Sequence, residues 1–334
     1  MRLITSLRKK NYDFTINIKY TKKFTFRKFA KIIFLKRLIS IIGTTGIGKT
    51  RLAIDLANHL DTEIISCDSR QFYKEMKIGT AMPTESELAE AQHHFVGNLS
   101  INDYYSIGLY EHEALEKLDE IFSKKDVAIM VGGSGMYEKA VVEGMNDLPE
   151  ADEENQKKLI ALFETEGTEP LQNLLQELDP EYYAVVDKDN PRRLLRAIDV
   201  IWQTGKTYTE NLSLPKKQRS FETVRIGIAA PREVIYERIN LRVLKMMENG
   251  LLEEARALIP DREKVALQTV GYAELFRYFD GEWDLDFAVS EIQKNSRRYA
   301  KRQTTWNRKL ENVNWVNYHN SLEEALSLPF NIPM

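Results

Sequence analysis

Short apolar, β-branched runs recur along the 334-residue chain at 38–42, 63–67, 127–131 and 224–229, each bounded by turn residues. Between the first three, apolar positions return at helical spacing, most clearly in 50–60 and 110–123. Strand, helix, strand, helix predicts an α/β fold: a parallel sheet with helices on both faces. Ligands of such sheets sit beyond the carboxyl ends of the strands. From about 148 to 216 the pattern changes to polar helical segments separated by "LDPEYY" and "DKDNPRR", with no strand candidate, which predicts a helical insertion. Asn190 followed by Pro191 marks a helix start there, carrying Arg192, Arg193 and Arg196. From Pro231 the chain is again helical, with interruptions near Pro260 and Gly281, and it closes on a weak strand candidate, "VNWVNY". The expected division is a basic extension (1–37), a first core part (38–147), the insertion (148–216), a second core part ending in a basic helix (217–325) and a tail (326–334).

Composition adds limits rather than chemistry. Hydrophobic residues at 43% and charged residues at 29% are ordinary for a soluble globular protein. No apolar run approaches the length of a spanning helix, so no membrane association is expected. The single cysteine, Cys67, excludes an intrachain disulfide and fits a reducing cytoplasm. The net charge of -3 conceals an asymmetry, because residues 1–38 hold twelve Lys/Arg against the single acid Asp13, leaving the other 296 residues at -14. A polyanion would therefore have to meet the folded part through a local basic patch. The basic extension reads in three ways: a disordered arm that touches RNA, a targeting segment, or upstream sequence from a wrongly chosen start codon. It lacks the apolar stretch and small-residue cleavage site of a secretory signal.

Three segments carry chemistry. Gly43-Thr44-Thr45-Gly46-Ile47-Gly48-Lys49-Thr50 matches the phosphate-binding pattern G-x-x-x-x-G-K-[ST], with a strand before it and a helix after it. Its glycines let backbone N–H groups turn toward phosphate oxygens, Lys49 adds a point charge, and Thr50 can reach a phosphate-bound Mg²⁺. The second segment is "TEIISCDSRQ", which places Asp68 at the carboxyl end of the next strand, beside those phosphates. Asp68 can be a helix cap, an outer Mg²⁺ ligand, or a general base aimed at an acceptor group. A nucleotide hydrolase would put an acid after "VAIMV", but that strand runs into "GGSGMY". The third segment, "NSRRYAKRQTTWNRKL", carries six cations with no acid, and on a helix Arg297 shares a face with Lys301, and Arg298 with Arg302. With Tyr299 and Trp306 interleaved it reads as a solvated helix face, as a surface for RNA phosphates, or as a diphosphate site if one arginine points inward.

The ordered set "GTTGIGKT", "DSRQ", "IGTAMPT", "HH", "GGSGMY", "NPRRLLRA", "VGYAEL" and "RRYAKRQTTW" resembles the tRNA dimethylallyltransferases, also called tRNA isopentenyltransferases, from about Leu38 to Asn320. The resemblance implies a P-loop NTPase-like core and a loop that holds the diphosphate of dimethylallyl diphosphate rather than ATP. The prenyl group would pass to N6 of the adenine at position 37 of tRNA. It further implies Asp68 as the catalytic acceptor of the N6 proton, Lys49, Thr50 with Mg²⁺ and Arg297 on the diphosphate, and a tRNA anticodon stem-loop as partner. Ser69, Arg70, Gln71, Gln268 and Gly271 would read the extruded base and its neighbours, Ser134 would meet the RNA backbone, and Arg298, Lys301 and Arg302 its phosphates. Gln156, Arg192 and Arg193 in the insertion would clamp the stem. A monomer is expected.

Three positions depart from that family's pattern: Met82 stands where Lys is usual, Ser134 where Thr is, and Asn307 where an aromatic commonly follows the Trp. Losing the lysine removes a cation from a loop expected to face RNA. His93 and His94 fit the pattern without an evident chemical role; packing or an RNA contact is expected, and zinc is not, for want of spaced partners. Trp202, Trp283 and Trp315 are expected in the core or at a domain interface. Two other readings compete. A small-molecule kinase would use the same loop for ATP but should show an arginine-rich lid, and a non-catalytic RNA-binding paralogue would not need Asp68 and Lys49.

Overall fold

The computed structural model describes residues 36–215 and 218–328. Its sheet has six strands, β1 (Lys36–Ile42), β2 (Ile64–Ser66), β3 (His93–His94), β4 (Val127–Val131), β5 (Phe221–Ala229) and β6 (Val313–Asn317), in the order β3-β2-β4-β1-β5-β6. Every pairing is parallel. The predicted extension lies outside the described residues except Lys36 and Arg37, which open β1 instead of preceding it. Their side chains are tied down, Lys36 to Asp126 at 2.8 Å and Arg37 to Glu222 at 3.5 Å.

The helices in chain order are α1 (Lys49–Leu60), α2 (Glu85–Glu90), α3 (Ile107–Phe122), α4 (Gly135–Glu143), α5 (Glu153–Glu166), α6 (Glu169–Leu178), α7 (Pro180–Val185), α8 (Pro191–Thr204) and α9 (Tyr208–Leu212). They continue after β5 with α10 (Arg232–Glu248), α11 (Leu251–Ala257), α12 (Tyr272–Phe279), α13 (Leu285–Asn307) and α14 (Ser321–Leu326). Strand alternation sorts the sheet's two faces. Ile39, Ile41, Ile129 and Val131 pack with Leu52, Leu56 and Ala325 of α1 and α14. Leu38, Ala128 and Met130 pack with Tyr110, Leu118 and Val141 of α3 and α4. Burial on both faces is why these strands read as continuous apolar runs. A third cluster, including Val243, Leu251, Leu275 and Ile292, joins α10 to α13.

The chain divides into two compact units, and Glu143–Gln218 forms the second. The sequence pattern began this segment at 148 and ended it at 216. Its helices close on a core of their own, with Leu159, Leu171, Leu175, Leu194 and Ile198. Two buried carboxylates brace it: Asp179 accepts from the backbone N–H of Tyr182 and of Thr209, and Asp199 accepts from Asn155, Arg196 and Gln203. Asn190 precedes Pro191 at the start of α8 but makes no side-chain cap.

Sequence reasoning missed β3, which is the histidine pair itself. A two-residue strand is too short to show periodicity. His94 Nε2 meets Glu63 Oε2 at 2.7 Å, and His93 Nδ1 donates to the Ala91 carbonyl at 2.8 Å. Two tryptophans also fall elsewhere than expected: Trp202 is 41% exposed and Trp315 is 49% exposed. Trp315 covers the bare backbone of Gly227 on the neighbouring strand, where an added Cβ would stand 2.5 Å from the ring. Trp283 packs edge-on to Phe287, with Arg277 over its ring.

Candidate active site

The phosphate-binding turn follows β1 and leads into α1. Gly48, at the helix N-cap, has φ 110°, a left-handed conformation that a side chain would strain and that aims the following N–H groups outward. Lys49 Nζ folds back on the Thr44 carbonyl at 2.9 Å. Burial pushes its ammonium down to about 8, and the Asp68 charge offsets part of that shift. Thr44 Oγ1 is buried without a partner among the described residues.

A pH signature follows. Above about pH 8 the empty protein must take up a proton on Lys49 to bind an anion, whereas below it the ammonium is already formed. Affinity for inorganic diphosphate is expected to fall about tenfold per pH unit once that value is passed. Calorimetric titration from pH 7 to 9 measures this, with Lys49→Arg as the reference whose cation does not titrate. Equal profiles for the two proteins would refute it.

Three long-range contacts hold the loop. The backbone N–H of Thr45 donates to Gln303 Oε1 of α13 at 2.7 Å, and Gln303 Nε2 donates to the Gly133 carbonyl at 2.9 Å. The buried Gln303 thus bridges the phosphate turn and the "GGSG" turn. From α10, Arg238 donates to the Ile47 carbonyl at 3.0 Å and Arg242 donates to Thr45 Oγ1. Arg242 Nε is buried with no partner among the described residues. Desolvation draws its guanidinium below the ordinary arginine range, and Asp68 pulls it partly back.

Asp68 sits where two large cavities meet. One, about 830 Å³, is lined by Gly46, Gly48, Lys49, Thr50 and His93; the other, about 790 Å³, by Ser69, Gln268, Gly271, Tyr299 and Arg302. Both are lined by Thr45, Asp68, Thr80, Arg242 and Met246. Asp68 Oδ1 caps the Arg70 N–H at 3.1 Å, while Oδ2 lies 2.8 Å from where a Cβ on Gly133 would stand, so only glycine leaves room there. Tyr299 donates to the Gly133 carbonyl at 3.1 Å, and burial beside Asp68 pushes its phenol up to about 12, so it stays a donor.

The other sequence-derived residues are distributed unevenly. Ser69, Arg70, Gln268, Gly271 and Arg302 line the second cavity. Arg70 uses its guanidinium on the Val265 and Ala266 carbonyls at 3.0 and 3.2 Å. Gln71 gives its amide hydrogens to the Thr80 and Ala81 carbonyls at 3.1 and 2.9 Å, which leaves only its oxygen to read a base. Ser69 and Ser134 are engaged with each other at 2.9 Å. Arg298 and Lys301 stand exposed on α13 away from both cavities, Arg298 bonded to Asn295 at 3.2 Å. Gln156, Arg192 and Arg193 belong to the second unit, the two arginines exposed on α8.

The inward-pointing arginine differs from the one expected. Arg297 donates to Asn240 Oδ1 at 2.6 Å and lines neither cavity. The arginine that both reaches the loop and lines the two cavities is Arg242. Arg238 and Arg242 stand at i, i+4 in "ERINLRVLKMM", a spacing that puts both on one helix face, but nothing local says which way that face points. Gln303 lies within "RRYAKRQTTW", where a neutral amide among four cations carries no local signal of its role. Of the departures, Met82 lines the loop's cavity and its sulfur packs 3.5 Å from a Cβ position on Gly97, and Asn307 is buried at the end of α13.

No three acidic, histidine or cysteine side chains group as a metal site among the described residues. The donors at the loop are the Thr50 hydroxyl and the Asp68 carboxylate, both on the same cavity. That set fits Mg²⁺, which takes few protein ligands and completes its shell with phosphate oxygens and water.

A parallel sheet with a phosphate turn after β1, and an acid just past the end of β2, one strand removed across β4 and facing a second cavity, defines a P-loop group-transfer protein with room for two substrates. Comparison with known proteins makes this specific: a model of the IPP transferase family matches residues 71–310, and the chain belongs to that family. It is 53% identical over 281 residues to the tRNA dimethylallyltransferase of Christiangramia forsetii, covering 84% of this chain and 93% of that one. The Flavobacterium johnsoniae protein of the same name is 47% identical, with 87% and 96% covered. Among solved structures, the Bacillus halodurans tRNA isopentenylpyrophosphate transferase superposes with TM-score 0.63 at 35% identity, covering 85% of this chain and 90% of that one. A eukaryotic dimethylallyltransferase acting on tRNA superposes with TM-score 0.75 at 25% identity, covering 85% and 74%.

Proposed function

We propose that the protein transfers the dimethylallyl group of dimethylallyl diphosphate to N6 of the adenine at position 37 of tRNA, releasing diphosphate. The observation that carries this reading is the meeting of the two cavities at Asp68 and Arg242. The loop side takes the diphosphate, and the other side takes an adenine turned out of the anticodon loop, as a base must be to reach a buried site.

In the transfer, the bond from the allylic carbon to the diphosphate oxygen breaks and its electron pair leaves with the diphosphate. The N6 lone pair forms the new C–N bond, and the proton displaced from N6 passes to Asp68. Lys49, the loop N–H groups and Arg242 stabilise the charge growing on the leaving group. Thr50 would hold Mg²⁺, which would supply further neutralisation of the leaving group's charge. Arg298, Lys301 and Arg302 form the exposed cationic face of α13 for the RNA backbone, and Gln268 and Gly271 stand on the wall of the base cavity. The protein is proposed to work as a cytoplasmic monomer. Among the described residues no helix is long and apolar enough to cross a membrane.

The test is incubation of the full chain with Mg²⁺, radiolabelled dimethylallyl diphosphate and an unmodified anticodon stem-loop carrying consecutive adenines at positions 36 and 37. Label in the RNA at N6 is expected. RNA bound without label would instead mark a non-catalytic binder, and loop protection by ATP but not by dimethylallyl diphosphate a kinase.

A further inference from the structure

A third cavity, about 290 Å³, lies against the "GGSG" turn and is lined by Ser134, Tyr137, Glu138, Trp306 and Asn307. It shares Ser69, Tyr299 and Arg302 with the cavity assigned to the adenine. The two are therefore neighbours at Ser69, Tyr299 and Arg302. None of the transfer chemistry uses the smaller one.

Two of its lining residues carry a buried polar atom with no partner among the described residues: Trp306 Nε1, a donor only, and Glu138 Oε2, an acceptor. Glu138 is 2% exposed. Its other oxygen is already occupied, by Ser40 Oγ at 3.0 Å and Arg225 Nε at 2.9 Å. The two orphans belong to one place. Trp306 Nε1 lies 2.2 Å from where a Cβ on Gly135 would stand, and Glu138 follows Gly135 by three residues on α4, hence on the same helix face. Buried polar atoms are nearly always paired, so a donor and an acceptor left open on residues of one cavity call for a ligand that brings both.

We propose that this cavity seats a second base of the same RNA, from a loop nucleotide near the target adenine. The proposal rests on the transfer reading above and extends it. Every nucleobase carries a donor beside an acceptor on its pairing edge, which complements Glu138 Oε2 and the Trp306 N–H together. Tyr137 and Trp306 supply the aromatic surface on which single-stranded bases stack. Arg302 is exposed, stands over the Tyr299 ring at 5.6 Å and lines both cavities, so it is placed to hold the phosphate between the two bases. Two bases withdrawn on either side of Ser69 and Tyr299, which line both cavities, would fix the register of the loop, and so which adenine reaches Asp68.

The test is a cycle between protein and RNA. Stem-loops with a single abasic site at each loop position other than the target adenine are assayed for transfer with the full-length wild type and with Trp306→Phe, which keeps an aromatic ring and loses the N–H. At one position, base removal is expected to raise KM for RNA about tenfold in the wild type and no more than about twofold in the variant. With wild-type protein, 4-thiouridine at that same position is expected to crosslink to the peptide holding Tyr137 or Trp306, as read by mass spectrometry. Additive effects at every position, or crosslinks confined to other surfaces, would overturn the proposal and leave the transferase reading standing. So would a Trp306→Phe protein that melts earlier and loses affinity for both substrates alike, since that marks packing. No transfer by the wild type to the intact stem-loop would sink the transferase reading, and this proposal with it.

Discussion

Asp68→Asn lowers the single-turnover rate of prenyl transfer by about 10² to 10⁴-fold, the usual contribution of a positioned general base. The substitution preserves volume and leaves an oxygen to accept from the Arg70 N–H, as Asp68 Oδ1 does at 3.1 Å. The turn therefore keeps its shape, while the carboxylate charge and with it the ability to take a proton are lost. The amine of adenine needs that acceptor because its lone pair is delocalised into the ring, and the nitrogen must shed a proton as it gains a carbon. One side effect has a known sign. The Asp68 charge raises the proton affinity of Lys49, so its removal lowers the Lys49 pKa further and weakens diphosphate binding at neutral pH. The rate is therefore measured at saturating dimethylallyl diphosphate and at pH 7, by rapid quench of labelled donor on an excess of enzyme. A loss below about tenfold would reduce Asp68 to the cap it also is.

Arg242→Ala costs about 10² to 10³-fold in the same assay, the scale of removing one preorganised donor from developing negative charge. Arg297→Ala in parallel costs less than about tenfold. The two arginines differ in what they face. Arg242 reaches Thr45 in the loop, keeps a buried Nε without a partner and lines both cavities, whereas Arg297 is bonded to Asn240 within the helical layer. Equal losses would return Arg297 to the leaving group, where the basic-helix pattern had put it. Arg242→Lys sharpens the test, because a lysine keeps the charge but not the fork of N–H donors. Recovery by lysine would mean that charge alone matters, and no recovery that the geometry of Arg242 toward Thr45 and the diphosphate matters too.

Several features of this protein are determined by local sequence. The strands are visible because residues buried on both faces of a parallel sheet must be mostly apolar in succession, as Val127 to Val131 are, and as Leu38 to Ile42 are apart from the buried Ser40. The phosphate turn is visible because all its functional parts are contiguous: the glycine conformations, the lysine and the first turn of α1 come from eight consecutive residues. Asp68 is visible for a related reason, since the end of a short β-branched run announces where it must sit. The helical insertion shows as a change of period, because five helices closing on a leucine core need no strand.

Other features were decided only by tertiary structure, and each depends on residues distant in sequence meeting side by side. Arg242 and Thr45 are 197 positions apart and Gln303 and Thr45 are 258 apart, so no window of sequence contains the contact. A charged helix also exposes cations in every direction, and spacing can group Arg297 with Lys301 without saying which group turns inward. The direction comes from the apolar stripe of Val243, Leu275 and Ile292, which docks α10 and α13 together and thereby aims Arg242 at the loop. Gln71 shows the converse. Its place beside Asp68 was readable, but its amide is taken up by the Thr80 and Ala81 carbonyls, and only the folded chain brings those carbonyls within reach. The turn's chemistry is local because phosphate is bound by backbone. The choice of partner groups around it is tertiary because side-chain direction follows from packing, and packing is a property of the whole core.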